Sequence, residues 1–476
     1  MPIPVVRAAD PPTGELLAGF AAIRQEVGAP PAFPLEVDQA AQLAAARAVV
    51  VDRSDRRDLE LRTLDPPGSM DLDQAFAIEP RPHGGWRVWY AIADVAAFVA
   101  AGDPIDVEAR KRGATLYSPD LRTPMHPNVL GEGAASLLPG EDRPALLWCI
   151  DLDDAGAVDG EPRVSRAIVR SRSAHDYPTV QRALDGGSAE SAFVLLREVG
   201  LARQRHEHAR GGVSLNLPEQ IVVHEHDVYR LAHRTPLAVE GWNAQVSLLA
   251  GMAAAALMID GGVGLLRTLP PPEPELFERL HRSATSLGVD WPAGAPYADL
   301  VRSIDASTAK GAALLHQAAR ALRGAGYVAF DGVAPAERTH AAVAAPYAHV
   351  TAPLRRLADR FSNEVVLALS SGVTVPPWAR DALPELPKVM AKGNGRSRSL
   401  SAATVNFVEA MSLRHRVGEL FDGAVIDEGM VQVHEPPVVA PLDGSPTPAL
   451  GSDIEAMLDE ADPKRRRVRF SVASAG

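Results

Sequence analysis

The sequence predicts an α+β protein in roughly three units, and three observations along the chain predict it. From Leu59 through SRAIVRSRS, short apolar runs alternate with turn signals. After Pro178 long Ala/Leu-rich segments take over, and from residue 417 strand-like patterns return. The length of 476 residues exceeds one ordinary core. At about 150 residues per domain it divides into a helical segment 1–52, a mixed unit 53–416 and a β-unit 417–476.

Each element follows from its pattern. GELLAGFAAIRQEVG and DQAAQLAAARAVV are amphipathic and separated by the Pro-rich GAPPAFP, so two helices lead the chain. AFAIEP and WRVWYAIADVAAFV flank Pro82-His83-Gly84-Gly85, which is a β-hairpin signal; LLWCIDLD and SRAIVRSRS extend the sheet. WNAQVSLLAGMAAAALMI is too short and too polar at its start to span a bilayer, so a buried core helix is expected, and GAALLHQAARALRGAG continues the helical region. Pro-rich tracts at 269–274 and 375–387 read as loops, and KGNGRSRS at 392–399 as a loop able to touch phosphate. ELFDGAVID, MVQVHE, PVVAPLDG and KRRRVRFSV predict a small barrel or sandwich.

Composition narrows the function classes. Apolar residues make up 46% and charged residues 23%, and no apolar run reaches the roughly 18–20 residues of a membrane span. The N-terminal MPIPVVRAADPP lacks a secretory pattern, and the lone Cys149 can form no internal disulfide, so a cytoplasmic protein is expected. The net charge of −12 argues against a general nucleic-acid coat, yet leaves room for local cationic paths at Arg355-Arg356, 392–398 and Lys464–Arg469.

The chemical signal is Asp65-Pro-Pro-Gly-Ser-Met-Asp71-Leu-Asp73-Gln74, three carboxylates spaced D-x5-D-x-D. The Pro-Pro-Gly turn can bring Asp65 back toward Asp71 and Asp73, which share a face if extended. Crowded carboxylates raise each other's pKa unless a cation neutralises them, and magnesium suits such oxygen donors. A solvated acidic turn or a structural calcium loop fits the spacing as well. His206-Glu207-His208 and His224-Glu225-His226 are read as solvated polar faces, and Gly261-Gly262-Val263-Gly264 follows a helix, so no zinc site or nucleotide cofactor is expected.

DLELRTLDPPGSMDLDQAFAIE, with YAIADVAAFV behind it, resembles the metal-binding opening of the ribonuclease II / ribonuclease R (RNB) family. The likeness continues in family order through RGATLYSPDLRTPMHPNVL, SLLPGEDRPALLWCIDLD, GGVSLNLPE, VEGWNAQVSLLAGMAAA and YAHVTAPLRRLADRF, covering residues 57 to 368. It implies an RNB-type catalytic domain, a mixed sheet surrounded by helices, followed by a shortened OB-like RNA-binding domain. It also implies 3′→5′ hydrolysis of single-stranded RNA to nucleoside 5′-monophosphates by a monomer using two Mg²⁺ ions, with Mn²⁺ as the second candidate.

By the same resemblance Asp65, Asp71 and Asp73 are metal ligands. Gln74 replaces the family's fourth acid and retains a carbonyl oxygen as a weak ligand. Arg355 is the electrophilic candidate and Arg356 the runner-up, because a guanidinium fork can grip phosphate. Tyr117 is expected to stack on a base; Tyr347, His349, Thr351 and Leu215 fall on the implied RNA path. Asp94 is read as a structural hydrogen-bond acceptor. With fewer flanking domains than the family usually carries, a weaker grip on the strand is expected. The competing readings are a catalytically impaired RNA-binding pseudonuclease, prompted by Gln74, and a protein-interaction module.

Overall fold

The computed structural model describes residues 13–47, 52–213, 219–225, 228–292, 294–305 and 308–473. Its centre is a seven-stranded mixed sheet. The strands in chain order are Ser54–Asp55 (β1), Arg62–Asp65 (β2), Gln74–Pro80 (β3), Trp86–Ala93 (β4), the outlying ribbon Leu116–Tyr117 (β5) and Arg122–Thr123 (β6), then Asp142–Leu152 (β7), Arg163–Arg170 (β8) and Ser173–Asp176 (β9). The sheet runs β1-β8-β7-β4-β3-β2-β9, with only the outer pairs β1/β8 and β2/β9 parallel. β3 and β4 form the hairpin expected around residues 82–85, in register from Gln74 opposite Ile92 to Pro80 opposite Trp86.

Helices α1 (Thr13–Glu26), α2 (Leu35–Ala45), α3 (Pro104–Arg112), α4 (Tyr177–Asp185), α5 (Ser191–Ala209) and α6 (Ala238–Gly261) precede a further helix, Leu357–Ser370. Side chains alternate across a pleated sheet. Phe76, Ile78, Val88, Tyr90, Ile92, Leu146, Trp148 and Ile150 therefore face α4, α5, α6 and Leu357–Ser370. The intervening alanines, Ala75, Ala77, Ala91, Ala93 and Ala145, face α2 and the chain from Val95 to Leu137. Cover on both faces explains the unbroken apolar runs that prevent a simple in/out alternation.

Among the described residues only α6 is long and apolar enough to cross a membrane. It instead lies in the main core through Val239, Val246, Leu249, Ala250, Ala254 and Met258. Its start is satisfied by Glu240, which accepts from Leu237 N at 2.9 Å, and its end by Gly262 in the left-handed conformation. The Gly261-Gly262 pair thus ends a helix.

The loop expected at 392–399 is helical. Residues Leu386–Leu413 form one helix of 28 residues, and the tract at 375–387 contains the short helix Pro377–Arg380 and the start of the long one. Burial of Met390, Leu400, Phe407, Val408 and Met411 along one side outweighs the local cost of Gly393 and Gly395. Arg396 donates to the carbonyls of Lys111 (2.9 Å) and Arg112, which close α3 and lack helical partners.

The last unit is a closed five-stranded barrel of Leu420–Asp427, Met430–Val433, Val438–Asp443, Asp453–Asp462 and Arg467–Val472, filled by Phe421, Val425, Val431, Leu458 and Phe470. Three of the cations at 464–469 are paired. Arg466 pairs with Glu26 at 2.5 Å, Arg469 with Asp443 at 2.5 Å and Arg465 with Asp462 at 3.7 Å.

Candidate active site

Three chain segments build the site. β2 ends on Asp65, the turn that follows carries Asp71 and Asp73, and β3 begins at Gln74. Against them lies the segment 347–356, which enters the Leu357–Ser370 helix. Thr115 N donates to Arg355 O at 3.0 Å and Leu357 N to Gly113 O at 3.1 Å, so the ribbon bearing Tyr117 is stitched to the arginine segment. Gly113 has φ +73°, and a Cβ there would also meet Val389 O at 3.3 Å; glycine suits this junction on both grounds.

Asp73 is 2% exposed. It accepts from Leu354 N at 2.7 Å and from Arg355 Nε at 3.1 Å. Burial pushes its carboxyl up to about 7 despite Arg355 and the Leu354 amide, with the charge of Asp71 adding to the rise. Asp65 is pushed up to about 6 by burial, opposed by Arg355 and reinforced by Asp71. Asp65 and Asp73 therefore both feel the charge of Asp71, with Arg355 as their shared counter-charge. Asp71 is held by Arg122, which also donates to Glu132 at 2.5 Å, and Tyr117 hydroxyl reaches Asp71 at 3.4 Å.

Other sequence expectations are placed differently. The Gln74 carbonyl oxygen accepts from Tyr90 hydroxyl and from Ser247 Oγ at 3.2 Å, so it is committed to two hydroxyls between β4 and α6 instead of standing open as a ligand. Arg355 is half-exposed at 46%, available to a substrate. Arg356 is not: it grips the fully buried Asp359 at 2.8 Å, while Asp359 also accepts from Ala352 N at 2.7 Å. That arrangement fixes the turn and corrects the runner-up role for Arg356.

Tyr117 is 50% exposed and suits a stacking platform, whereas Tyr347 is buried at 8% and Thr351 at 4%. Thr351 Oγ1 accepts from Arg356 Nη2 at 3.4 Å, so both residues support the segment from beneath, a correction to their place on the RNA path. His349 bonds Tyr327 hydroxyl through Nδ1 at 2.7 Å, and burial with the nearby arginines holds its pKa well below the usual range. A neutral imidazole results. Leu215 lies outside the described residues, as does His226 of the second histidine pair. Asp94 is 1% exposed and pairs with Arg53 at 2.6 Å and Arg166 at 3.3 Å, as a structural acceptor should.

Sequence reasoning missed Arg122, Glu132, the Leu354 amide and the Tyr90–Ser247 pair. The signal for Arg122 lies in TLYSPDLRT: a Ser-Pro-Asp turn sets Tyr117 opposite Arg122 across the β5/β6 ribbon. Among the described residues no three His, Cys, Asp or Glu side chains converge as a finished metal cage. The donor set nevertheless fits a hard divalent cation in kind. Asp65, Asp71 and Asp73 offer carboxylate oxygens, and burial, with a smaller contribution from the charge of Asp71, raises the pKa values of Asp65 and Asp73.

Comparison with known proteins identifies the family of the chain. The RNB domain model matches residues 53–370, and the RNase II-type exonuclease C-terminal S1 domain matches 419–473. Exosome complex exonuclease RRP44 homolog A of Arabidopsis thaliana is 30% identical over 367 residues, 74% of this chain and 39% of that protein. Ribonuclease R of Escherichia coli (strain K12) is 29% identical over 328 residues, 64% of this chain and 39% of the relative. The chain thus spans well under two thirds of the length of these relatives. Mycoplasma genitalium RNase R in complex with ribose methylated single-stranded RNA superposes with a TM-score of 0.84 at 20% identity, covering 96% of this chain and 78% of that one. Yeast Ssd1, a pseudonuclease, gives 0.68 at 16% identity over 88% of this chain and 53% of its own. With an RNB model matched from 53 to 370 and an RNase II-type S1 domain behind it, the chain belongs to the RNB family of exoribonucleases.

Proposed function

We propose that the chain is a cytoplasmic 3′→5′ exoribonuclease that hydrolyses single-stranded RNA to nucleoside 5′-monophosphates with divalent cations, Mg²⁺ or Mn²⁺, at Asp65, Asp71 and Asp73. The observation that carries this reading is the pairing of Asp73 and Asp65 with one half-exposed arginine, Arg355, with Asp71 acting on both acids and the exposed Tyr117 reaching Asp71. When bound, the cations supply an activated water and stabilisation of the leaving 3′ oxygen.

The remaining work falls to the chain. Tyr117 offers a ring face to the terminal base without regard to its identity, as stacking suits every base. Arg355 has free donors for a phosphate oxygen, and its contact with Asp73 sets it at the edge of the acid cluster. The Arg356–Asp359 pair and the Thr351 hydroxyl hold the turn that aims Arg355. The neutral His349 leaves proton abstraction to the acid side of the cleft.

A second reading, a pseudonuclease that retains RNA, is favoured by Gln74 and by its engagement with Tyr90 and Ser247. A labelled single-stranded RNA incubated with the full chain in Mg²⁺ or Mn²⁺ separates the two. Shortening from the 3′ end that disappears in Asp73→Asn supports hydrolysis. Binding without shortening in either metal overturns it, and shortening restored by Gln74→Asp would then assign the loss to that position.

A further inference from the structure

Asp71, the middle acid of the cluster, is the one whose carboxylate is taken by an arginine from outside the arginine segment. Arg122 divides its guanidinium between two acids, one nitrogen on Asp71 and the other on Glu132 at 2.5 Å. All three side chains are partly open to solvent: 26% for Arg122, 14% for Asp71 and 23% for Glu132. This triad differs from the Arg356–Asp359 lock, whose carboxylate is fully buried, because both of its acids reach solvent and it can exchange partners without leaving a charge stranded in the core.

Local structure supports that freedom. Arg122 lies on a ribbon of only two residue pairs, directly across from the exposed Tyr117. Glu132 is presented by a π-type turn, Leu130–Ala134, in which Ala135 N reaches Leu130 O at 3.0 Å; such turns are local irregularities inserted where a side chain must be aimed.

We infer that Arg122 is a positioning residue that acts as a competitor for Asp71: it holds this carboxylate when no cation is bound and is retained by Glu132 when Asp71 turns to a metal. The inference rests on the metal reading above and adds a residue that sets how much metal the site needs. Arg122 opposes the cation twice, by occupying the carboxylate and by placing a positive charge beside it. Glu132 opposes Arg122 by offering a second anchor. The two residues thus act on metal affinity in opposite directions, an outcome that a purely structural ion pair does not produce.

The test is Mn²⁺ binding to the full chain, followed by calorimetry and by the loss of the free-ion electron paramagnetic signal, with no RNA present. Arg122→Gln should lower the dissociation constant about fivefold, the scale of one partly exposed ion pair. Glu132→Gln should raise it by a similar factor, and it serves as the decisive variant if Arg122→Gln folds poorly. Equal or weaker binding in a folded Arg122→Gln, or tighter binding in Glu132→Gln, overturns the inference while leaving the metal site intact. Wild-type binding that is insensitive to Asp65→Asn, or absent in every variant, overturns both this inference and the metal reading on which it rests.

Discussion

Neighbouring arginines in one turn have different commitments, Arg355 half-exposed beside Asp73 and Arg356 locked on the fully buried Asp359, and this separates their expected phenotypes. Arg355→Ala removes a half-exposed donor and should cut RNA hydrolysis by about 10²-fold or more while leaving the urea midpoint nearly unchanged. Arg356→Ala strands a fully buried Asp359 and should cost about 3 kcal/mol in urea unfolding. The acid cluster also predicts a pH signature. The Asp73 carboxyl is raised to about 7 in the fold, so between its ordinary value and 7 the folded state holds a proton that the unfolded state has lost, and stability falls as pH rises. In metal-free buffer, the melting temperature of Asp73→Asn should therefore gain on the wild type from pH 4 to 7.5; parallel curves would contradict the raised value. The same protonation predicts weaker Mn²⁺ binding below pH 6, where Asp65 and Asp73 both take up protons. Asp65, Asp71 and Asp73 were legible because they are neighbours in sequence. Arg122 was not, since 51 residues separate it from Asp71 and only the β5/β6 ribbon closes that distance.

At the scale of elements, the hairpin β3/β4 and helix α6 follow directly from their patterns, and the helix Leu386–Leu413 does not. Lys392-Gly-Asn-Gly-Arg-Ser-Arg has loop chemistry taken alone; contacts with α1, α3 and the barrel, which no local window contains, keep it helical. Tyr347 and Thr351 were misplaced for a related reason. A motif gives the order of side chains, while burial decides which of them reach a substrate. α6 carries the matching constraint. A Cβ on Gly251 would lie 2.1 Å from Tyr347 Cε2 and 2.7 Å from Ala348 O, so the arginine segment rests on a bare stretch of helix. Gly251→Val should destabilise the fold by about 2 kcal/mol or more by overpacking and should reduce hydrolysis as residues 347–355 shift, read from urea melts and RNA decay assays.

Over the whole molecule the balance is acidic, and each obvious cation cluster is partly matched internally. Arg466 ties the barrel to α1 through Glu26, and Arg469 is matched by Asp443 within the barrel. Few phosphate contacts remain, so the logarithm of RNA affinity should fall with log salt at a slope of only about −2 to −4. Arg469→Ala should change that slope by less than about one, and a larger change would return the barrel cations to the RNA path. The α+β class and the barrel at 420–472 were legible from periodicity, but the spatial order of the central strands was not, because β1 pairs with β8, β7 with β4 and β9 with β2, across long stretches of sequence.

That strand order has a further physical consequence. The main sheet ends in β1, two residues long, and β9, four residues long, while the barrel closes on itself. Unsatisfied backbone donors and acceptors at a long free margin invite another chain to add a strand. The terminal strands β1 and β9 themselves give an intruding peptide little to hydrogen-bond, so strand addition onto either of them should be disfavoured.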